Sequence, residues 1–187
     1  MFYLFTGAPG AGKTLNAIKF ILDNSSAGKV FADRQIVAAG VNGLNIEGWK
    51  SIDLEEGVNW YTYPAGTVFL IDECQEIWPM GSSGGKVPDT VAKMARHRHM
   101  GFDVIATCQF PRQLHTGIRA VVNEHRHLSR KFGTSKVMQF TWGRIEENPN
   151  KSKTGAQSKL ITLDKSIFDK YKSACLLYTS PSPRDRG

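Results

Sequence analysis

Three cysteines occur in the 187 residues, and no two form a C-x-x-C pair. A disulfide framework and a structural zinc site are thereby excluded, and a reducing compartment fits. Cys74 and Cys108 stand far apart in the chain, and Cys175 lies near its end. No secretory signal precedes the first apolar stretch, and no apolar run approaches the ~18–20 residues that span a bilayer, so the sequence reads as a soluble chain. Internal repeats and heptads are also missing, which excludes solenoids and coiled coils. Acids are scarce in one place. Between Lys93 and Lys131 eight Lys or Arg (Lys93, Arg96, Arg98, Arg112, Arg119, Arg126, Arg130, Lys131) face Asp103 and Glu124, and all five histidines lie there too. That segment holds most of the formal charge of +7 and implies an anionic partner.

The chain is organised around its first fourteen residues, MFYLFTGAPGAGKT. Phe2 to Phe5 is an apolar, aromatic-rich run that reads as a buried strand. Gly7, Ala8, Pro9, Gly10, Ala11, Gly12, Lys13 and Thr14 follow as a G-x-x-x-x-G-K-T phosphate-binding loop. Such a loop points successive backbone N–H groups at an anion, and the helix that starts there adds its unpaired amides and positive dipole end. Lys13 is expected to reach the outer phosphates, Thr14 to place its hydroxyl on Mg²⁺, and Pro9 to stiffen the loop.

Thr67 to Asp72 (TVFLID) is a continuous apolar run ending in an acid, the pattern of a central parallel strand whose carboxyl end faces a nucleotide. Asp72 is the expected Mg²⁺ partner of Thr14. Glu73 is placed to orient and deprotonate a water attacking the terminal phosphate, although an acid at a helix start also suits the dipole. Phe102 to Cys108 reads as another buried strand. Gln109 at its end is a candidate sensor of the terminal phosphate or, equally, an ordinary strand-end cap. An arginine finger acting on a neighbouring subunit is expected among Arg96, Arg98, Arg112 and Arg119, with phosphate-backbone contact to nucleic acid as a second role for this basic face. Metal binding by His97, His99, His125 and His127 is rejected, because neighbouring arginines would repel a cation.

Elsewhere a helix is predicted over 14–24, strands in Lys29–Ala32 and Gln35–Ala39, and a tight turn at Asn42-Gly43. Leu44 to Glu56 has no clear period. Trp60 to Tyr63 reads as an aromatic strand or edge used for packing. Trp78 to Pro88 is a Gly- and Ser-rich loop, 89–100 a helix capped by Asp89 or Thr90 with Val91, Met94 and Ala95 inward, and 112–122 a further helix. Glu124 to Lys131 and Val137 to Trp142 form a hairpin around Gly133-Thr134-Ser135. Ile145 to Lys159 reads as a flexible polar loop, with order resuming over 160–173. Cys175 to Asp185 reads as the in-frame translation of a transposase-type sequencing adapter. One ATPase domain over 1–174, truncated C-terminally, and a non-native tail over 175–187 are therefore expected.

With the loop, Asp72-Glu73, the RHRHxGFD segment from Arg96 to Asp103 and the ATCQ run ending at Gln109 in order, Met1 to Ala174 resembles the N-terminal domain of the zonula occludens toxin family of filamentous-phage assembly proteins. The resemblance implies an α/β P-loop NTPase, a three-layer sandwich with a mostly parallel central sheet like RecA and the DNA translocases, plus a C-terminal hairpin. It also implies a Mg²⁺-ATP hydrolase acting as a homo-oligomeric ring on the cytoplasmic face of the bacterial inner membrane. That enzyme would drive phage assembly or extrusion of single-stranded DNA, with membrane attachment only through a missing C-terminal segment. The alternatives are a nucleotide-gated scaffold without rapid turnover and a small-molecule kinase, against which the water-activating Glu73 counts. A GTPase is disfavoured because Asn-Lys-x-Asp is absent and no glycine stands three residues after Asp72.

Overall fold

The computed structural model describes residues 1–81, 85–130 and 135–172. Among them the frame is one eight-stranded sheet: β1 (Phe2–Gly7), β2 (Ile36–Ala39), β3 (Trp49–Ile52), β4 (Val68–Ile71), β5 (Asp103–Cys108), β6 (Glu124–Arg130), β7 (Lys136–Trp142) and β8 (Gln157–Thr162). The spatial order is β3-β2-β4-β5-β1-β6-β7-β8. The first six strands in that order are parallel, and β7 and β8 extend the edge in antiparallel fashion.

Central parallel strands are covered on both faces, which is why β2 and β4, and β5 apart from Asp103 and Thr107, are apolar without strict alternation and all three are buried throughout. Alternate residues feed two cores. On one face Phe5, Leu70 and Ile105 meet Leu15, Ile18 and Ile21 of helix α1 (Lys13–Asp23). Each of those three helix side chains contributes about 1.5–3 kcal/mol by leaving water. The opposite face packs Leu4, Phe69 and Val104 against Trp60, Trp78, Met94 and Ile118 from short segments, including α3 (Asp89–Met94) and α4 (Thr116–Arg119). The result is a three-layer sandwich. The chain leaves β1 toward β2 on one side while β6 flanks β1 on the other, so β1 ends at a topological switch point, where open α/β sheets bind ligands.

Several local expectations are corrected. Lys29–Ala32 forms turns rather than a strand, with Phe31 buried against Phe20. The region without period holds edge strand β3 and α2 (Leu54–Gly57), whose N-cap Asp53 accepts from the Glu56 amide at 2.8 Å. Trp60–Thr62 is a 3-10 turn, because Trp60 is wholly buried beneath the sheet against Phe102. The helix at 89–100 stops at Met94. Thr90 is a buried acceptor for the indole N–H groups of Trp60 and Trp78 at 3.1 and 3.0 Å rather than a cap, and Ala95 is exposed. Residues 112–122 contain only a 3-10 turn and the four-residue α4, started by His115, whose Nδ1 accepts from the Gly117 amide. Far apart in sequence, Cys74 and Cys108 are both buried, and burial together with the nearby Cys108 pushes the Cys74 thiol well up. The hairpin turn at Gly133-Thr134, part of the 78–88 loop and the tail lie outside the described residues.

The polar loop after β7 is tied down rather than free. The Glu146 amide donates to His125 Nδ1 at 3.1 Å, which leaves the proton of a neutral ring on Nε2, 2.7 Å from Thr6 Oγ1. Thr6 is 2.9 Å from His127 Nδ1, and His127 Nε2 is 2.9 Å from Asn150 Oδ1. Every donor in this chain then meets one acceptor. Burial lowers His125 to about 3 and His127 to about 4, so both rings are neutral at pH 7.

Candidate nucleotide-binding site

The loop of residues 7–12 joins β1 directly to α1. Gly12, at the helix N-cap, has φ +87°, a left-handed conformation that a side chain would strain, and no side chain caps the helix. The first-turn amides are thus left for an anion. The loop's start is held by the Gly7 amide, which donates to the Gln109 carbonyl at 3.4 Å. Its crest is held by Arg130 Nη1, which donates to the Gly10 carbonyl at 3.2 Å.

Lys13 is only 6% exposed, and its Nζ lies 3.7 Å from Glu73 Oε1. A buried ammonium needs such a counter-charge. Thr14 Oγ1 donates to Asp72 Oδ1 at 2.8 Å, as does Thr107 Oγ1 at 2.6 Å. Burial raises the Asp72 carboxyl, while the two hydroxyls pull it the other way. Because Thr14 spends its proton on Asp72, its lone pairs remain for a cation beside the carboxylate, an oxygen set that suits Mg²⁺.

Glu73 is a non-glycine residue at φ +47°, ψ +51°. Such backbone costs on the order of 1 kcal/mol and persists where neighbours enforce it. Here the Glu73 amide donates to Thr107 Oγ1 at 3.0 Å, and Gln75 Nε2 donates to Glu73 Oε2 at 2.7 Å. The Glu73 side chain makes no capping bond to the 3-10 turn that follows; it faces Lys13 instead.

Pro9, Gly10, Gly12, Lys13, Thr14, Asp72 and Glu73 all border one cavity of about 1020 Å³. Its other walls come from the turns after β2 and β3 and from Tyr171 and Lys172. Gln109 adjoins the loop through its backbone, and its side chain is not among the cavity walls. Arg96 and Arg98 are exposed in the turn that precedes β5, at the sheet end opposite the loop. The six-residue strand between them and that edge spans about 17–20 Å, so neither reaches the cavity of its own chain. Sequence reasoning missed Thr107, Gln75, Arg130 and the 171–172 wall. Only Thr107 left a local signal, a hydroxyl near the end of the apolar run that starts at Val104.

A Zonular occludens toxin (Zot) family model matches residues 1–176. ORF301 of Pseudomonas phage Pf3, assigned as an assembly protein, is 31% identical over 183 residues. The match takes in 94% of this chain, which spans 59% of the length of that relative. The crystal structure of the N-terminal domain of zonular occludens toxin from Neisseria meningitidis is similar at TM-score 0.76 and 26% identity, covering 91% of this chain and 98% of that one. The genome packaging NTPase B204 of Sulfolobus turreted icosahedral virus 2, solved with ATP-gammaS, reaches TM-score 0.55 at 13% identity over 87% of this chain and 97% of that one, a likeness of fold alone. The order of strands, the loop at the end of β1 and the acid at the end of β4 make the fold that of a P-loop NTPase, and the chain belongs to the Zonular occludens toxin (Zot) family.

Proposed function

We propose that this domain binds and hydrolyses Mg²⁺-ATP to drive filamentous-phage assembly or DNA extrusion at the bacterial inner membrane. The observation that carries the reading is the convergence of Lys13, Thr14, Asp72 and Glu73 on one cavity at the loop, with Glu73 held in a left-handed conformation beside the lysine.

The loop amides and Lys13 hold the phosphates, and Thr14 with Asp72 holds the metal ion. Bound there, Mg²⁺ neutralises charge that develops on the phosphate oxygens. Glu73 takes the proton of the attacking water, once Lys13 has turned from the carboxylate to the phosphates. Thr107 fixes the register of both acids, one through Asp72 Oδ1 and the other through the Glu73 amide. For Gln109 to act as the sensor at the end of β5, its side chain has to turn toward the loop that its carbonyl already holds.

Among the described residues no arginine borders the cavity, so an arginine finger, for which Arg96 and Arg98 are candidates, has to come from a neighbouring subunit of a homo-oligomeric ring. Single-stranded phage DNA or its nucleoprotein complex is the partner we assign to the basic segment. Assembly as the process rests on the phage Pf3 relative. Among the described residues no helix is long and apolar enough to cross a membrane.

The test is steady-state Mg²⁺-ATP hydrolysis by the chain across protein concentrations. Lys13→Ala should abolish nucleotide binding. Glu73→Gln should keep binding and lower kcat by about 10²–10⁴. Turnover should rise with self-association. Binding without Glu73-dependent turnover at any concentration would refute the hydrolase and leave a nucleotide-gated scaffold.

A further inference from the structure

The stretch 163–172 is a strap laid over the phosphate loop and α1. Leu163 and Ile167 are buried in the α1-side core, and Lys19 of α1 pairs with Asp164 at 3.5 Å. A Cβ added to Gly12 would meet Leu163 Cδ2 at 2.7 Å, so the strap rests on the loop itself. Its end clasps the turn after β2: the Asn45 amide donates to the Lys170 carbonyl and the Lys172 amide to the Asn42 carbonyl, each at 2.7 Å. Tyr171, between them, is 7% exposed. The stem of Lys172 lies on Gly43, where an added Cβ would meet its Cγ at 2.7 Å and its Cδ at 2.9 Å. Gly43 also has φ +60°, so both its conformation and the strap's approach need glycine.

The charge balance of the cavity gives this placement meaning. Lys13 and Lys172 are the two cations among the described residues that border it, against Asp53, Glu56, Asp72 and Glu73. A triphosphate entering such a site meets more negative than positive charge, so every available cation matters. Lys13 faces Glu73, whereas Lys172 forms no ion pair among the described residues.

We propose that Lys172 is a second cationic ligand of the nucleoside triphosphate, and that the bound nucleotide thereby holds the 163–172 strap against the loop. The proposal rests on the nucleotide-binding reading above.

The test titrates a fluorescent ATP analogue with Mg²⁺ into the chain, its Lys172→Ala and Lys172→Arg variants, Gly43→Ala and Lys13→Ala. Hydrogen exchange is followed at the Lys172 and Asn45 amides, and far-UV circular dichroism confirms that each variant folds. Lys172→Ala should weaken binding about tenfold. Lys172→Arg should stay within about twofold, since the charge is kept. Gly43→Ala should weaken binding with the charge intact, by pushing the lysine stem aside. Saturating nucleotide should slow exchange at both amides in the unmodified chain.

Unchanged affinity in Lys172→Ala, or amide exchange indifferent to nucleotide, overturns the proposal. If binding is lost in Lys13→Ala but kept in Lys172→Ala, only this inference fails. If the unmodified chain does not bind nucleotide, the functional reading beneath it fails as well.

Discussion

Thr107→Val isolates the hydroxyl that couples the two acids. Thr107 is wholly buried; its Oγ1 donates to Asp72 at 2.6 Å and accepts from the Glu73 amide at 3.0 Å. Valine nearly conserves volume, so the effect is polar rather than a cavity. Loss of a bond to a charged acceptor costs about 1.5–3 kcal/mol, and an orphaned amide adds about 1–3 kcal/mol if water stays out. Allowing for partial relaxation, we expect a deficit of about 2–4 kcal/mol at pH 7.5, or roughly 5–12 °C in Tm for a domain of this size. Its pH dependence is diagnostic. Burial holds the Asp72 carboxyl above its ordinary value, and Thr107 opposes that shift, so valine raises it further. The folded variant then binds a proton more tightly than the unfolded chain, and its stability falls as pH rises through the folded value. The deficit should therefore be largest near neutrality and shrink toward acid. Urea denaturation of both proteins at several pH values measures it, and turnover should fall while nucleotide affinity stays within about twofold. A deficit below about 1 kcal/mol at pH 7.5, or one that grows as pH falls, refutes the coupling.

The histidine pair gives a dependence of opposite sign. The folded values, about 3 for His125 and about 4 for His127, lie below the ordinary 6.5, so the unfolded chain takes up protons that the folded one refuses. Stability is complete above about pH 6.5 and is lost as pH falls, by at most about 1.4 kcal/mol per unit per ring. A His127→Gln variant with the same slope in denaturation midpoints from pH 7 to 5 would exclude a neutral buried ring there. Thr90→Val leaves the Trp60 and Trp78 indoles without their shared hydroxyl and should cost about 1–3 kcal/mol in thermal unfolding. Since Thr90 lies away from the cavity walls, nucleotide affinity should be unchanged, and a large loss of binding would contradict that separation. Gly12→Ala should weaken nucleotide binding by tenfold or more in the same titration, because strained backbone and a 2.7 Å approach to Leu163 both oppose it; wild-type affinity would sink this account of the loop.

What could be read from the sequence was local, and what could not was set by contacts from far along the chain. The phosphate loop is a contiguous spacing, and Thr67–Asp72 is a continuous apolar run, so strand, loop and helix could be placed before any contact was known. Strand β3 could not, because an edge strand with two exposed residues carries no pattern of its own and exists through pairing with β2. Nor could the 3-10 turn at Trp60, since β-type aromatics there serve a core closed by Phe102 and Thr90. The site divides in the same way. Lys13, Thr14, Asp72 and Glu73 announce themselves by neighbours in sequence, yet the groups that orient them do not. Thr107 is 35 residues from Asp72, and Thr6, one step before the loop, is fixed by a histidine 119 residues on. Arg96 and Arg98 show the converse: a charge pattern marks them in sequence, and the direction of β5 carries them to the far end of the sheet. The strap repeats the lesson, because Tyr171 and Lys172 become cavity walls only when the chain returns over α1 to a turn that closed at Asn42. A P-loop sequence thus marks the groups proposed to touch phosphate, while the groups that hydrogen-bond to them are chosen by topology, and those are the residues whose substitution should separate turnover from binding.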